Sequence, residues 1–250
     1  MSSLLGIIGY PLRHSISHAF QQAALDHLGL SMRYHVWETQ PESLEERVHE
    51  LARLEVVGFN VTVPHKKQIL QFMGELSPEA AAIGTVNTVL KRGDVFCGYN
   101  TDSYGFIRAL QKGSDLDLKG LDVLLLGAGG AAHAVAFAVA SLGAARISIA
   151  NRTVEKARTL AAAVSRLGPH TEALTLERKD LEAITMTGPG SGPGLIVNCT
   201  SLGMLHSQNE DASPIPADLI PPGTLAYDLV YNPPMTPFLR AAQNKGVKIL

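Results

Sequence analysis

The chain turns on Leu121 to Arg152, which reads LDVLLLGAGGAAHAVAFAVASLGAARISIANR. Val123 to Leu126, with Leu121 just before, form the kind of apolar run that is buried on both faces of a parallel sheet. GAGGAA follows directly and puts Gly127, Gly129 and Ala132 on the G-x-G-x-x-G/A spacing. Ala131 to Leu142 then holds no proline and no glycine, stops at Gly143, and reads as a helix. Ile147 to Ile149 supplies the next strand. A glycine fingerprint alone says little; one lodged between a buried strand and a helix is specific for a dinucleotide.

The glycines matter because a pyrophosphate needs the backbone itself. Gly127 permits the tight turn, Gly129 lets phosphate approach the main chain, and Ala132 lets the helix pack closely on the strand. Free N–H groups of the helix's first turn face the anion. Gly127, Ala128, Gly129, Gly130 and Ala131 are therefore the expected phosphate cradle. The competing reading, a plain glycine-rich turn, is disfavoured by the complete β-α-β unit around it.

Cofactor choice is read at the end of the second strand, where an NAD site places an acid for the ribose 2′-hydroxyl. Here the residues are Ala150-Asn151-Arg152-Thr153, and the first acid, Glu155, falls inside the next helix. An acid repels a 2′-phosphate, whereas Arg152 holds one through charge-assisted bonds. Thr153 is placed to cap the following helix and to donate to phosphate. NADP is the expected cofactor.

Composition narrows the class. With 250 residues, 46% of them apolar, the chain has room for two modest domains with substantial cores. The 21 basic and 23 acidic side chains give a net charge of −2 without any basic block, so no nucleic-acid partner is expected. The N-terminus enters a strand directly and no segment reads as a signal peptide or membrane span, so no membrane partner is expected either. Cys97 and Cys199 lack a C-x-x-C partner and read as reduced, buried thiols of a cytoplasmic protein.

Before the fingerprint, strands alternate with helices. Leu4 to Ile8 reads as a buried strand, and Ser17 as the N-cap of a helix facing inward through Phe20, Ala24 and Leu28. Tyr34 to Trp37 reads as a strand, Leu44, Val48 and Leu51 as one face of a helix, and Gly58 to Val63 as a strand stopped by Pro64. Helices follow from about Lys66 and from Pro78. Thr85 to Leu90 and Val95 to Tyr99 make a hairpin about Arg92-Gly93-Asp94, which is read as a turn with no adhesive role. Ser103 to Leu110 is a helix. After the fingerprint unit come a helix at Thr153 to Leu167 and a strand near Ala173 to Leu176. A flexible GPGSGPG loop at 188–194 precedes strands at Leu195 to Cys199 and Thr224 to Leu229. Thr236 caps a last helix and Val247 to Leu250 is a last strand. Such alternation implies a doubly wound, mostly parallel α/β sheet, with two domains and a ligand cleft between them.

Three polar stretches invite chemistry. In His14-Ser15-Ile16-Ser17-His18, two hydroxyls at a helix start suit a carboxylate, although taken alone a simple capping loop is the better reading. His14 and His18 straddle that helix start without a third ligand, so no metal site is assigned. In Asn60-Val61-Thr62-Val63-Pro64-His65-Lys66-Lys67, Asn60 and Thr62 share a strand face and Lys66 follows the break. The third stretch pairs Thr85-Val86-Asn87-Thr88 with Gly98-Tyr99-Asn100-Thr101-Asp102; in isolation these are turn formers.

Taken in order, HSxS, NVTVPxK, G-x-VNT, NTD, GAGGA, NRT and DLxYNP resemble the shikimate dehydrogenase family over essentially the whole chain. That resemblance implies a substrate domain over 1–104, joined by a returning helix at 236–250, and a Rossmann-type NADP domain over 105–235. By position it implies that Ser15 and Ser17 bind the substrate carboxylate. Thr62, Asn87, Asp102 and Tyr231 would hold ring hydroxyls. Lys66, paired with Asp102, would be the catalytic acid/base. Gly127 to Ala131, Asn151, Arg152, Thr153 and Thr200 would hold NADP, with Leu229 near the nicotinamide. Cys199 is read as packing and not as a nucleophile.

The reaction implied is reversible NADPH-dependent reduction of 3-dehydroshikimate to shikimate, on the route to chorismate and aromatic amino acids. Lys66 polarises the carbonyl and the Lys66–Asp102 pair supplies the proton; the pair is held responsible jointly. A monomer or homodimer is implied. The family usually continues past the last strand with a glycine-rich segment and a substrate-touching glutamine, which this sequence lacks, and His18 stands where proline is common. Three rival readings stand beside this one. A quinate/shikimate dehydrogenase with relaxed substrate or NAD use would favour an acid near Asn151. A methylenetetrahydrofolate dehydrogenase would need neither HSxS nor NTD. A non-catalytic NADP-binding regulator would have no use for Lys66 and Asp102.

Overall fold

The computed structural model describes residues 4–13, 15–186 and 192–250. His14 and most of the GPGSGPG loop (188–191) lie outside the described residues. The chain divides into two compact units, Met1–Asp102 and Ser103–Leu250.

The first unit contains β1 (Leu4–Gly9), α1 (Ser17–His27), β2 (Arg33–Glu38), α2 (Leu44–Arg53) and β3 (Val56–Val61). It continues with β4 (Glu75–Leu76), α3 (Pro78–Ile83), β5 (Thr88–Arg92) and β6 (Val95–Tyr99). Its sheet runs β2-β1-β3-β5-β6-β4. The first three strands are parallel, and β5 is antiparallel to both β3 and β6. One sheet face buries Ile8, Phe59, Val61 and Val89 against Leu44, Val48 and Leu51 of α2, so the expected i, i+4, i+7 stripe is the buried one.

Four expectations fail in this unit. Ser17 is the first helical residue and caps nothing, while Phe20 and Leu28 are 53% and 68% exposed. The helix docks through Leu25 and through Gln22, whose Oε1 accepts the Tyr34 N–H at 2.9 Å. Strand β3 ends at Val61, and the helix expected from Lys66 is a 3₁₀ turn at Gln68–Phe72. Pro64 offers no N–H, and the His65 N–H turns back to the Thr62 carbonyl at 2.9 Å.

The second unit begins with α4 (Asp102–Gly113), whose first residue closes the first unit. It proceeds through β7 (Asp122–Leu126), α5 (Gly130–Ser141), β8 (Arg146–Ala150), α6 (Val154–Val164) and β9 (His170–Leu174). Then come α7 (Arg178–Thr185), β10 (Leu195–Asn198), β11 (Leu225–Asp228), α8 (Pro237–Asn244) and β12 (Lys248–Ile249). All six strands are parallel in the order β12-β11-β10-β7-β8-β9. Val123 and Leu125 of β7 face α5 and α6; Leu124 and Leu126 face α7 and α8. Burial on both sides is why β7 is apolar at each successive position from Val123 to Leu126 and not at alternate ones.

Residues 236–250 do not return to the first unit. Phe238, Leu239 and Ala242 of α8 pack on the Leu124–Leu126 face of the second sheet, and β12 pairs with β11. Thr236 caps α8 as expected, accepting the Leu239 N–H at 3.2 Å. Thr153 does not cap α6 through its side chain.

Candidate active site

In the first unit, bonds to main-chain groups on either side place the lysine before its own ammonium is held. Buried His65 points Nε2 at the Thr39 carbonyl, 2.7 Å away. On the other side, the Val86 N–H donates to the Lys66 carbonyl at 2.8 Å. Lys66 Nζ then meets Asp102 Oδ2 at 2.6 Å, with the two side chains 13% and 27% exposed. Partial shielding from water makes such a pair stronger than an exposed one.

Asp102 is set by its own sequence neighbourhood. It opens α4, where the helix dipole favours a carboxylate. Its N–H donates to Asn100 Oδ1 at 3.0 Å. Asn100 is buried and donates in turn to the carbonyl and hydroxyl of Thr85. In the sequence Asn100 is only a letter of the NTD motif; in the fold it is a buried amide between two turns that positions the acid.

Asn87 has no spare bonding capacity. Its Nδ2 donates to Asp102 Oδ1 at 2.7 Å and Thr101 Oγ1 at 2.9 Å, and its Oδ1 accepts from Thr88 Oγ1 and the Thr101 N–H. Thr62 lies against Gly9, where an added Cβ would come within 2.4 Å of the Thr62 methyl carbon, so only glycine permits that approach. Ser15 Oγ accepts the Ser17 N–H at 3.3 Å at the start of α1.

The second unit holds the other expected residues. Gly127 has φ of +115°, and a Cβ there would sit 3.0 Å from the Cys199 carbonyl and from Thr200 Cγ2. Cys199 in turn donates its N–H to the Leu126 carbonyl. The loops after β7 and β10 thus meet where the strand order reverses, the usual ligand crevice of such sheets. Asn151 ties this loop down: its Oδ1 accepts the Ala128 N–H at 3.2 Å and its Nδ2 donates to the Thr153 carbonyl at 2.8 Å.

Those residues suit a dinucleotide diphosphate. No side chain caps α5, and a Cβ added at Gly129 meets no atom within 4 Å, so the first-turn N–H groups stand open to a ligand. Arg152 is exposed with no ion-pair partner among the described residues. The Thr200 hydroxyl donates to Asn198 Oδ1 and accepts the Leu202 N–H.

Beneath the crevice lies a buried network that the sequence reading left without a role. Asp228 accepts from Asn198 Nδ2 (2.9 Å), the Val230 N–H (2.9 Å) and Thr236 Oγ1 (2.6 Å). Burial pushes its carboxyl up, while bonds from Thr236, Val230 and Asn198 pull it down. An acid ending an otherwise apolar strand was the available signal. Leu229 and Tyr231 flank this network, Leu229 part-buried and Tyr231 56% exposed. Burial also pushes the Cys199 thiol well up, which suits packing and not nucleophilic chemistry.

Comparison with known proteins matches each unit separately. The family profile described as shikimate dehydrogenase substrate binding domain matches residues 7–89, and that of shikimate / quinate 5-dehydrogenase matches 108–186. A shikimate dehydrogenase (NADP(+)) of Bacillus cereus is 39% identical over 249 residues, covering 100% of this chain and 86% of the relative. The Thermus thermophilus shikimate 5-dehydrogenase, solved with NADP(H) and shikimate, has a TM-score of 0.82 at 38% identity, over 99% of this chain and 86% of that one. The 5-ketofructose reductase of a Gluconobacter species has a TM-score of 0.81 at 32% identity, over 100% and 87%.

Proposed function

The chain belongs to the shikimate dehydrogenase family, and from that premise we propose how its residues carry out NADP-dependent reduction of 3-dehydroshikimate to shikimate. The observation that carries the assignment of roles is the Lys66 Nζ–Asp102 Oδ2 contact of 2.6 Å. Substrate is held by the first unit together with Tyr231, and the second unit binds cofactor. Ser15 and Ser17 take the substrate carboxylate, and Thr62, Asp102 and Tyr231 take ring hydroxyls. Asn87 acts mainly by holding Asp102, since a substrate hydroxyl must displace an existing bond to reach its amide.

Bound NADPH supplies the hydride to the carbonyl carbon. Lys66 donates a hydrogen bond to the carbonyl oxygen, which stabilises the charge developing there, and the Lys66–Asp102 pair delivers the proton that completes the alcohol. In the oxidative direction the same pair accepts that proton. Gly129 to Ala131 hold the diphosphate through main-chain N–H groups, and Asn151 fixes the loop. Arg152 and Thr153 would hold the 2′-phosphate, Thr200 would shape the loop facing Gly127, and Leu229 would line the nicotinamide side of the site.

Following NADPH absorbance with 3-dehydroshikimate, 3-dehydroquinate and 5-ketofructose in parallel, each also with NADH, tests this reading. Fastest turnover is expected with 3-dehydroshikimate and NADPH; preference for another substrate overturns it. A monomer or homodimer accords with family resemblance, and light scattering during gel filtration checks it. Cytoplasmic location accords with two free, buried thiols, and fractionation checks that.

A further inference from the structure

Six side chains of the first unit form one hydrogen-bonded file that ends at the reacting pair. Tyr34 Oη donates to Asn60 Oδ1 (2.7 Å), and Asn60 Nδ2 donates to Thr88 Oγ1 (3.2 Å). Thr88 Oγ1 donates to Asn87 Oδ1 (3.0 Å), Asn87 Nδ2 to Asp102 Oδ1 (2.7 Å), and Lys66 Nζ to Asp102 Oδ2 (2.6 Å). Strand register supplies the reach. Tyr34 on β2 is level with Leu5 and, across β1, with Gly58; Asn60 is two residues further along the same face and pairs directly with Thr88.

Two acceptor-only groups fix the direction of this file. The carboxylate of Asp102 obliges Asn87 to present its NH₂ there, which turns Asn87 Oδ1 toward Thr88. The main-chain carbonyl of Asn87, 3.3 Å from Asn60 Nδ2, obliges Asn60 to present its NH₂ on that side. Asn60 Oδ1 therefore faces Tyr34, and the two hydroxyls are left as donors. Burial pushes the Tyr34 phenol well up, so it keeps the proton that the file requires. Donors aligned in one sense polarise one another toward the carboxylate.

We propose that Tyr34 and Thr88 are positioning residues for the reduction, setting the Asn87 amide and through it holding the Asp102 carboxylate on Lys66. Neither acts at the reacting atoms. The proposal rests on the roles given above to Lys66 and Asp102.

The test compares Tyr34→Phe, Thr88→Val, Thr88→Ser and the double variant Tyr34→Phe/Thr88→Val in the full chain. Turnover is counted per NADPH-binding site by fluorescence titration, so that lost folding does not imitate lost positioning. Thr88→Val is expected to lower kcat about tenfold and Tyr34→Phe about threefold, the range of one hydrogen bond. KM for NADPH should stay within about twofold, and Thr88→Ser should keep near-parental kcat. The double variant should be no slower than Thr88→Val alone, because the route from Tyr34 to the Asn87 side-chain amide runs through Asn60 and Thr88. Additive losses, or parental kcat in Thr88→Val, overturn the proposal.

A second readout is independent of activity. The side-chain NH₂ resonances of Asn87 should move in Tyr34→Phe, and unmoved resonances overturn the relay. If they move while the parent fails to reduce 3-dehydroshikimate, the relay stands and the functional reading falls.

Discussion

Lys66 and Asp102 are placed by main-chain and buried-amide bonds from His65, Val86 and Asn100, so removing one partner leaves the other in position. Lys66→Ala should therefore lower turnover by orders of magnitude while NADP affinity, measured by fluorescence titration, changes little; turnover close to the parent's refutes the assignment. Arg152 is exposed and has no ion-pair partner among the described residues, so Arg152→Glu swaps an attraction for a repulsion at the expected 2′-phosphate. Loss of a charge-assisted bond is worth about 1.5–3 kcal/mol, so KM for NADPH should rise at least about tenfold while KM for NADH falls or stays. The identities of these residues were legible in the sequence because short motifs fix them. What Asn87 does was not legible: a saturated amide looks the same in sequence as one free to bind a ligand.

Elements with a long apolar period were readable, and short ones docked by polar contacts were not. Strand β7 and helix α2 announce themselves through burial. By contrast α7 buries only Leu181 and Thr185, and β4 is two residues long, so neither has a period to detect. In α1 the inward face was misread because Gln22 docks on β2 while Phe20 is left in water. Helix α8 illustrates an element tied to the site by one residue. Thr236→Val removes both its cap and a donor to the buried Asp228 carboxylate, costing about 3 kcal/mol in chemical denaturation. The sign of the pH dependence follows from the direction of the Asp228 shift. A carboxyl raised in the folded state favours folding most below its unfolded-state value, and that advantage is lost as pH rises through the folded value. Without the Thr236 bond the carboxyl rises further, so more is lost on ionisation. The stability deficit of Thr236→Val should be larger at neutral pH than in acid; a deficit independent of pH contradicts this account.

Each unit has its own sheet and its own apolar core, and a ligand that binds only the native form stabilises the unit that holds it. Strand alternation made the parallel, doubly wound character of the second sheet readable in advance. The destination of the last helix was not, because its stripe of Phe238, Leu239 and Ala242 could satisfy any apolar face, and only the pairing of β12 with β11 commits it. Hydrogen exchange can separate the two units' roles. At a ligand concentration of 100 times Kd, stabilisation is about 2.7 kcal/mol, or about a hundredfold slower exchange for amides released by unfolding of the binding unit. Shikimate alone should slow exchange first in β3, β5 and the turns around Lys66 and Asn100. NADP⁺ alone should do so first in β7, α5 and β8, with the loop after β10. Slowing by NADP⁺ confined to Met1–Asp102 would mean that the glycine loop, for all its fitness, is not where the cofactor is held.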